Sequence, residues 1–106
     1  MLHRNGKQTR ETDRIEAILK ESFPDYPRKY PPMAYRYNPA SIRVRLVHKS
    51  FRRKSLADRE DMVQPIIESL PGKTQRDIML LLLLSPEEAK RSGINDYFEN
   101  PTPPPV

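Results

Sequence analysis

Apolar residues recur at helical spacing near the start of the chain. Ile15, Ile18, Leu19 and Phe23 fall on one face of TDRIEAILKESF. Thr12 is read as the N-cap, Asp13 sits at the positive end of the helix dipole, and Pro24 stops the helix. Residues 1–11 carry no such period and are expected to be a flexible segment. The stretch PDYPRKYPP that follows is too rich in proline for a helix and is read as an extended connector. A period of two then takes over. Met33–Tyr37 alternates, Asn38-Pro39-Ala40 is a turn, and SIRVRLVHK (Ser41–Lys49) is the clearest strand. Ile42, Val44 and Leu46 share one face, Arg43, Arg45 and Val47 the other, which predicts a hairpin with an apolar and a basic face.

Helical spacing returns after Ser55, an N-cap with Asp58 three residues on. Leu56, Val63, Ile66, Ile67 and Leu70 supply its apolar stripe. Pro65 lies inside this pattern and predicts a kink or split near Gln64, and Pro71-Gly72 ends the segment. The run Leu80–Leu84 has no period, so strand and helix both suit it. Ser85-Pro86-Glu87-Glu88 opens a new helix directly behind it, which favours a short strand buried on both faces. That last helix is expected to end near Gly93, with 94–106 a flexible proline-rich tail. The reading is one α+β domain over 12–93: a small three-stranded mixed sheet with helices packed on one face, the second and third strands joined by a parallel crossover.

Composition narrows the chemistry. The 106 residues carry 19 Lys+Arg against 14 Asp+Glu, a net charge of +5, and no cysteine. Disulfides, thiolate catalysis and cysteine-held metal are thereby excluded within this chain. No apolar signal-peptide core and no run long enough to span a membrane are present, so a soluble, cytoplasmic protein is expected. His3 and His48 are the only histidines. His48 lies on the Ile42–Leu46 parity and is read as structural, since a metal site needs several convergent ligands. Glu60 and Asp61 are adjacent, so on a helix they diverge and serve as solvated acids rather than an acid–base pair. Gly72-Lys73-Thr74 lacks the upstream glycine of a phosphate loop, as position 67 is Ile. No Gly-x-x-Gly clamp occurs either. These absences predict a non-enzyme without cofactor.

Charge is concentrated in one place. No acid interrupts Arg43 to Lys54, and Arg43, Arg45, Lys49, Arg52, Arg53 and Lys54 form a candidate stripe for RNA, DNA or an acidic protein. Tyr26 and Tyr30 flank Arg28 and Lys29, an arrangement that can stack bases or can simply pin the connector to the core.

The element order, with FRRKSLADREDMV at its centre, resembles the BolA family, whose domains have an α-β-β-α-α-β-α arrangement similar to type II KH domains. In the family a Phe is followed two residues later by Gly, and six residues after that Gly comes Arg-His-Arg with an apolar pair. Phe51, Arg59 and Met62-Val63 fall at that spacing, and Lys54, Ser55 and Leu56 look like the family's Lys-Ser-Leu. RIEAILKESFPD resembles its first helix, and Asp77 to Glu88 resembles its third strand and final helix start. The departures are Arg53 for Gly, Glu60 and Asp61 for His and Arg, and Asp77 for the strand's His. The resemblance implies an iron–sulfur cluster shared with a monothiol glutaredoxin, held by that His and by a ligand from the first hairpin loop. Asp77 and the turn Asn38-Pro39-Ala40 stand there instead, so ligation is expected to be lost. The expected function is therefore a BolA-like protein-interaction or regulatory module. Its partner would be a monothiol glutaredoxin-like or other protein; the alternative is a KH-like nucleic-acid binder.

Overall fold

A computed structural model describes residues 6–91 and 93–102. His3 and the final prolines of the tail lie outside them. The elements run α1 (Arg10–Ser22), β1 (Met33–Asn38), β2 (Ser41–Val47), α2 (Leu56–Glu68), α3 (Gly72–Asp77), β3 (Ile78–Leu84), α4 (Pro86–Arg91) and α5 (Gly93–Glu99). The sheet order is β1-β2-β3, with β1 antiparallel and β3 parallel to the central β2. The α+β class and the small mixed sheet therefore stand as expected, and Leu80–Leu84 is strand.

Local chemistry sets the boundaries. α1 begins earlier than the apolar period implied: Thr9 is the N-cap, and Thr12 sits three residues inside, completing a capping box in which each side chain meets the other's backbone N–H. Upstream, Lys7 bridges to Arg36 across the free side of β1. Asn38 Oδ1 accepts the Ala40 N–H at 2.9 Å, closing the hairpin turn. α2 runs through Pro65 as one helix; the break comes later, where Ser69 and Leu70 turn the chain into α3. Pro65 is exposed, and it removes only one backbone donor from the helix. Ser85 and Glu88 form the expected capping box of α4.

The sheet has helices on both faces, which corrects the one-sided packing. On the first face Ala34, Ile42, Val44, Leu46 and Leu83 meet Ile15 and Leu19 of α1, Phe23, Val63 of α2 and Leu70. On the second, Tyr35, Val47, Leu82 and Leu84 meet Tyr30, Ala89 of α4 and Phe98 of α5. The expected tail is thus a helix from Gly93 to Glu99 whose Phe98 is fully buried, its ring centroid 5.0 Å from that of Tyr35. The Tyr35 hydroxyl donates to the Phe98 carbonyl at 2.6 Å, and the Tyr37 hydroxyl to the Thr102 carbonyl at 2.6 Å. Both bonds strap the C-terminal segment onto β1.

Candidate interaction site

The second face is the one that carries Arg43 and Arg45, and its cover takes the basic stripe apart. Arg45 is fully buried. Its guanidinium pairs with Glu99, donates to Asn95 Oδ1 at 3.0 Å and to the Pro31 carbonyl at 2.8 Å, and lies near the Tyr30 and Phe98 rings. Burial lowers its pKa, against the opposing pull of Glu99. A cation withdrawn in this way is an anchor for α5 and the connector, not a phosphate contact. Tyr30 is buried beside it, so the connector tyrosine pins the chain to the core. Arg43 is half-buried, its Cζ 3.7 Å from the Tyr37 ring centroid, and Nη2 donates to the Tyr97 hydroxyl at 3.2 Å. Arg52 is exposed but engaged in a two-pronged pair with Glu87, Nε at 3.0 Å and Nη2 at 2.8 Å. The Arg52 guanidinium holds the Glu87 carboxyl below its ordinary pKa.

Lys49, Arg53 and Lys54 remain, exposed and without an ion pair among the described residues. They sit on a short loop with a firm base. A single 3-10 turn, Lys49–Phe51, follows β2, and Phe51 is fully buried beneath it. His48 fastens the turn from one side: its Nε2 lies 2.7 Å from the Pro24 carbonyl, so that nitrogen carries the proton and donates, while Nδ1 accepts the Ser50 N–H at 3.1 Å. His48 is thus structural, packed edge-on to Phe23. Arg59 fastens the other side, donating through Nε to the Lys54 carbonyl at 3.0 Å and through Nη1 to the Leu83 carbonyl at 3.0 Å. Its guanidinium also grips Glu88 at 2.6 and 3.2 Å, holding that carboxyl down at about 2. Arg59 therefore ties loop, sheet and α4 together.

Between these fixed points Arg53 adopts φ 60°, the left-handed region that favours glycine. This is the position where the BolA pattern has Gly. Leu56, the first residue of α2, is 60 % exposed although its spacing marked it for the core; its place one residue beyond the Ser55 cap turns it outward. Lys49 on the 3-10 turn, Arg53 and Lys54 on the loop, and Leu56 at the start of α2 are thus all exposed along one short segment. Spacing alone misplaced Leu56.

The remaining family positions divide between framework and surface. Phe51 and Arg59 are buried supports. Glu60 and Asp61 are exposed on α2, as expected of solvated helix acids. Asp77 is clamped by Lys73 at 3.1 Å and Arg36 at 3.0 Å, and those cations lower its pKa. A carboxylate neutralised by two cations is a poor ligand for a cluster, and the hairpin turn offers only Asn38, whose side-chain oxygen is taken by Ala40. Among the described residues no group of His, Cys, Asp or Glu could hold a metal ion, and no helix is long and apolar enough to cross a membrane. The family's iron–sulfur site does not fit these residues. No family model matches the chain, and no curated protein or solved structure matches it.

Proposed function

We propose that the chain is a non-enzymatic protein-interaction module of BolA-like build, docking an acidic partner segment with an apolar anchor on the Lys49–Leu56 loop. The observation that carries this reading is Arg53. An exposed arginine held at φ 60° costs stability that glycine there would not, and strain of this kind concentrates where function needs it. Lys49 and Lys54 add charge beside it, and Leu56 adds an exposed apolar contact, the mixture that suits a protein rather than a bare phosphate chain. The BolA resemblance names a monothiol glutaredoxin-like protein as one such partner; the clamped Asp77 supports a contact without a shared cluster. The cysteine-free sequence suits a reducing compartment such as the cytoplasm.

The test is an NMR titration of the labelled protein with a leucine-containing Asp/Glu-rich peptide and, separately, with single-stranded RNA at two salt concentrations. Shifts from the peptide centred on Lys49–Leu56, and reduced by Arg53→Glu, are expected. Tight RNA binding that spans β2, with no response to the peptide, would replace this reading with the nucleic-acid one.

A further inference from the structure

Seven consecutive residues, 52–58, are exposed, and Ser55 lies at their centre. They read Arg-Arg-Lys-Ser-Leu-Ala-Asp. Ser55 is the only Ser or Thr of the chain with cations at both the third and the second position before it, Arg52 and Arg53. The residue after it, Leu56, is apolar and 60 % exposed. That combination is the pattern basophilic serine kinases select. Their cleft sets carboxylates against the two arginines and an apolar pocket against the residue behind the serine. Arg52 can turn from Glu87 to meet such a cleft, since both side chains of that pair are 52 % exposed and exposed pairs hold weakly.

A kinase cleft takes its substrate as an extended segment. Arg52 (φ −58°, ψ 134°) and Ser55 (φ −67°, ψ 162°) are already extended. Arg53, at φ 60°, is not, and swinging it into the extended region relieves strain instead of creating it. Extension gives up the Lys54 N–H bond to the Phe51 carbonyl at 3.2 Å and the Asp58 N–H bond to Ser55 Oγ at 3.1 Å. The N–H groups of a first helical turn have no partners along the helix, so α2 opens there most readily. Arg59 meanwhile keeps its hold on the Leu83 carbonyl and on Glu88.

We propose that Ser55 accepts a phosphoryl group from a basophilic serine kinase, and that the modification turns off docking of the acidic partner. Ser55 Oγ attacks the γ-phosphorus of the kinase's ATP. The new O–P bond forms as the bond to the β-phosphate oxygen breaks, ADP leaves, and the hydroxyl proton passes to a carboxylate of the kinase. The phosphate brings a charge of about −1.5 to −2 among Lys49, Arg53 and Lys54, the cations offered to an acidic segment. It cancels most of their charge and sets a like charge against the partner. The folded chain accommodates the group, because Ser55 Oγ already accepts the Asp58 N–H at the positive end of a 13-residue helix. The Asp58 carboxylate in the same turn opposes it in part. The loss of docking rests on the Lys49–Leu56 reading above; the acceptor role of Ser55 does not.

The test incubates the folded full chain with the catalytic subunit of cyclic-AMP-dependent protein kinase and magnesium ATP, and locates the phosphate by peptide mass mapping. One phosphate on Ser55 is expected, with Arg52→Ala and Arg53→Ala each lowering kcat/KM at least about tenfold. Ser55→Asn keeps a helix cap without the hydroxyl and should take up no phosphate. The phosphorylated chain should bind the leucine-containing acidic peptide at least about tenfold more weakly than the parent, with an unchanged circular-dichroism spectrum. A folded chain that takes up no phosphate overturns the acceptor role. So does phosphate that settles first on another residue, or a rate that ignores both arginine substitutions. Modification that unfolds the chain, or leaves peptide affinity unchanged, overturns the switch. A chain modified at Ser55 that never binds the peptide, with or without phosphate, leaves the acceptor role standing and removes the docking reading instead.

Discussion

Arg53 sets strain against use within one residue. The left-handed well costs an L-residue about 1–2 kcal/mol, and glycine would recover part of this while adding unfolded-state freedom worth about 0.5–1 kcal/mol. Arg53→Gly is therefore expected to stabilise the fold by about 0.5 kcal/mol, read as a higher denaturant midpoint at unchanged slope. It should also weaken binding of an acidic peptide. A lower midpoint would mean that the loop does not hold φ 60°. Asp25, at φ 66°, carries a smaller liability, because a short polar side chain tolerates this region. Neither spacing nor propensity marks position 53 as left-handed. The Phe-x-Gly pattern did so indirectly, since an expected glycine is a statement about backbone.

At the scale of elements, Arg59 and Glu88 join α2, β3 and α4 through one ion pair. Glu88 titrates at about 2 when folded against an ordinary 4.5, so its stabilisation is complete above pH 4.5 and is lost as pH falls toward 2. Glu88 is 38 % exposed, and solvent screening reduces the gain to about 1 kcal/mol. Glu88→Gln should accordingly be less stable than the parent at pH 7 by about that amount. The gap should close between pH 4.5 and 2, measured as thermal midpoints across that range. Most elements were legible in the sequence because each has its own period or cap: Ile15/Leu19 for α1, Ile42/Val44/Leu46 for β2, Ser85-Pro86 for α4. The second layer was not. Leu80–Leu84 without alternation already requires cover on both faces, and Val47 on the basic face points the same way. What covers them is α5, and the seven residues GINDYFE are too short to show a period beside the prolines that follow. The stripe was misread for the same reason: alternation shows which face Arg45 is on, but not that Glu99, far along the chain, returns to meet it.

At the scale of the whole molecule, α5 decides both stability and charge. Phe98→Ala empties a fully buried site against Tyr35 and is expected to cost about 3–5 kcal/mol in urea unfolding; a flexible tail would give a change near zero. The same helix withdraws Arg45 and Arg43 from the surface, while Glu87 of α4 engages Arg52. Arg45 is buried, Arg43 is stacked and Arg52 is paired, which leaves Lys49, Arg53 and Lys54 for a polyanion. Counterion release from a single strand gives a log–log salt slope of about 0.7 per neutralised phosphate, so this segment supports a slope of about 2, where the whole stripe would give about 4. Fluorescence anisotropy with a short single-stranded RNA over a salt series measures that slope. A value near 2, with weak affinity at physiological salt, is what a net charge of +5 spread largely over internal pairs and separate surfaces allows. A slope of about 4 that falls back toward about 2 when Arg43 and Arg45 are replaced by Gln would show that those two cations leave Tyr97, Asn95 and Glu99 of α5 to reach the RNA.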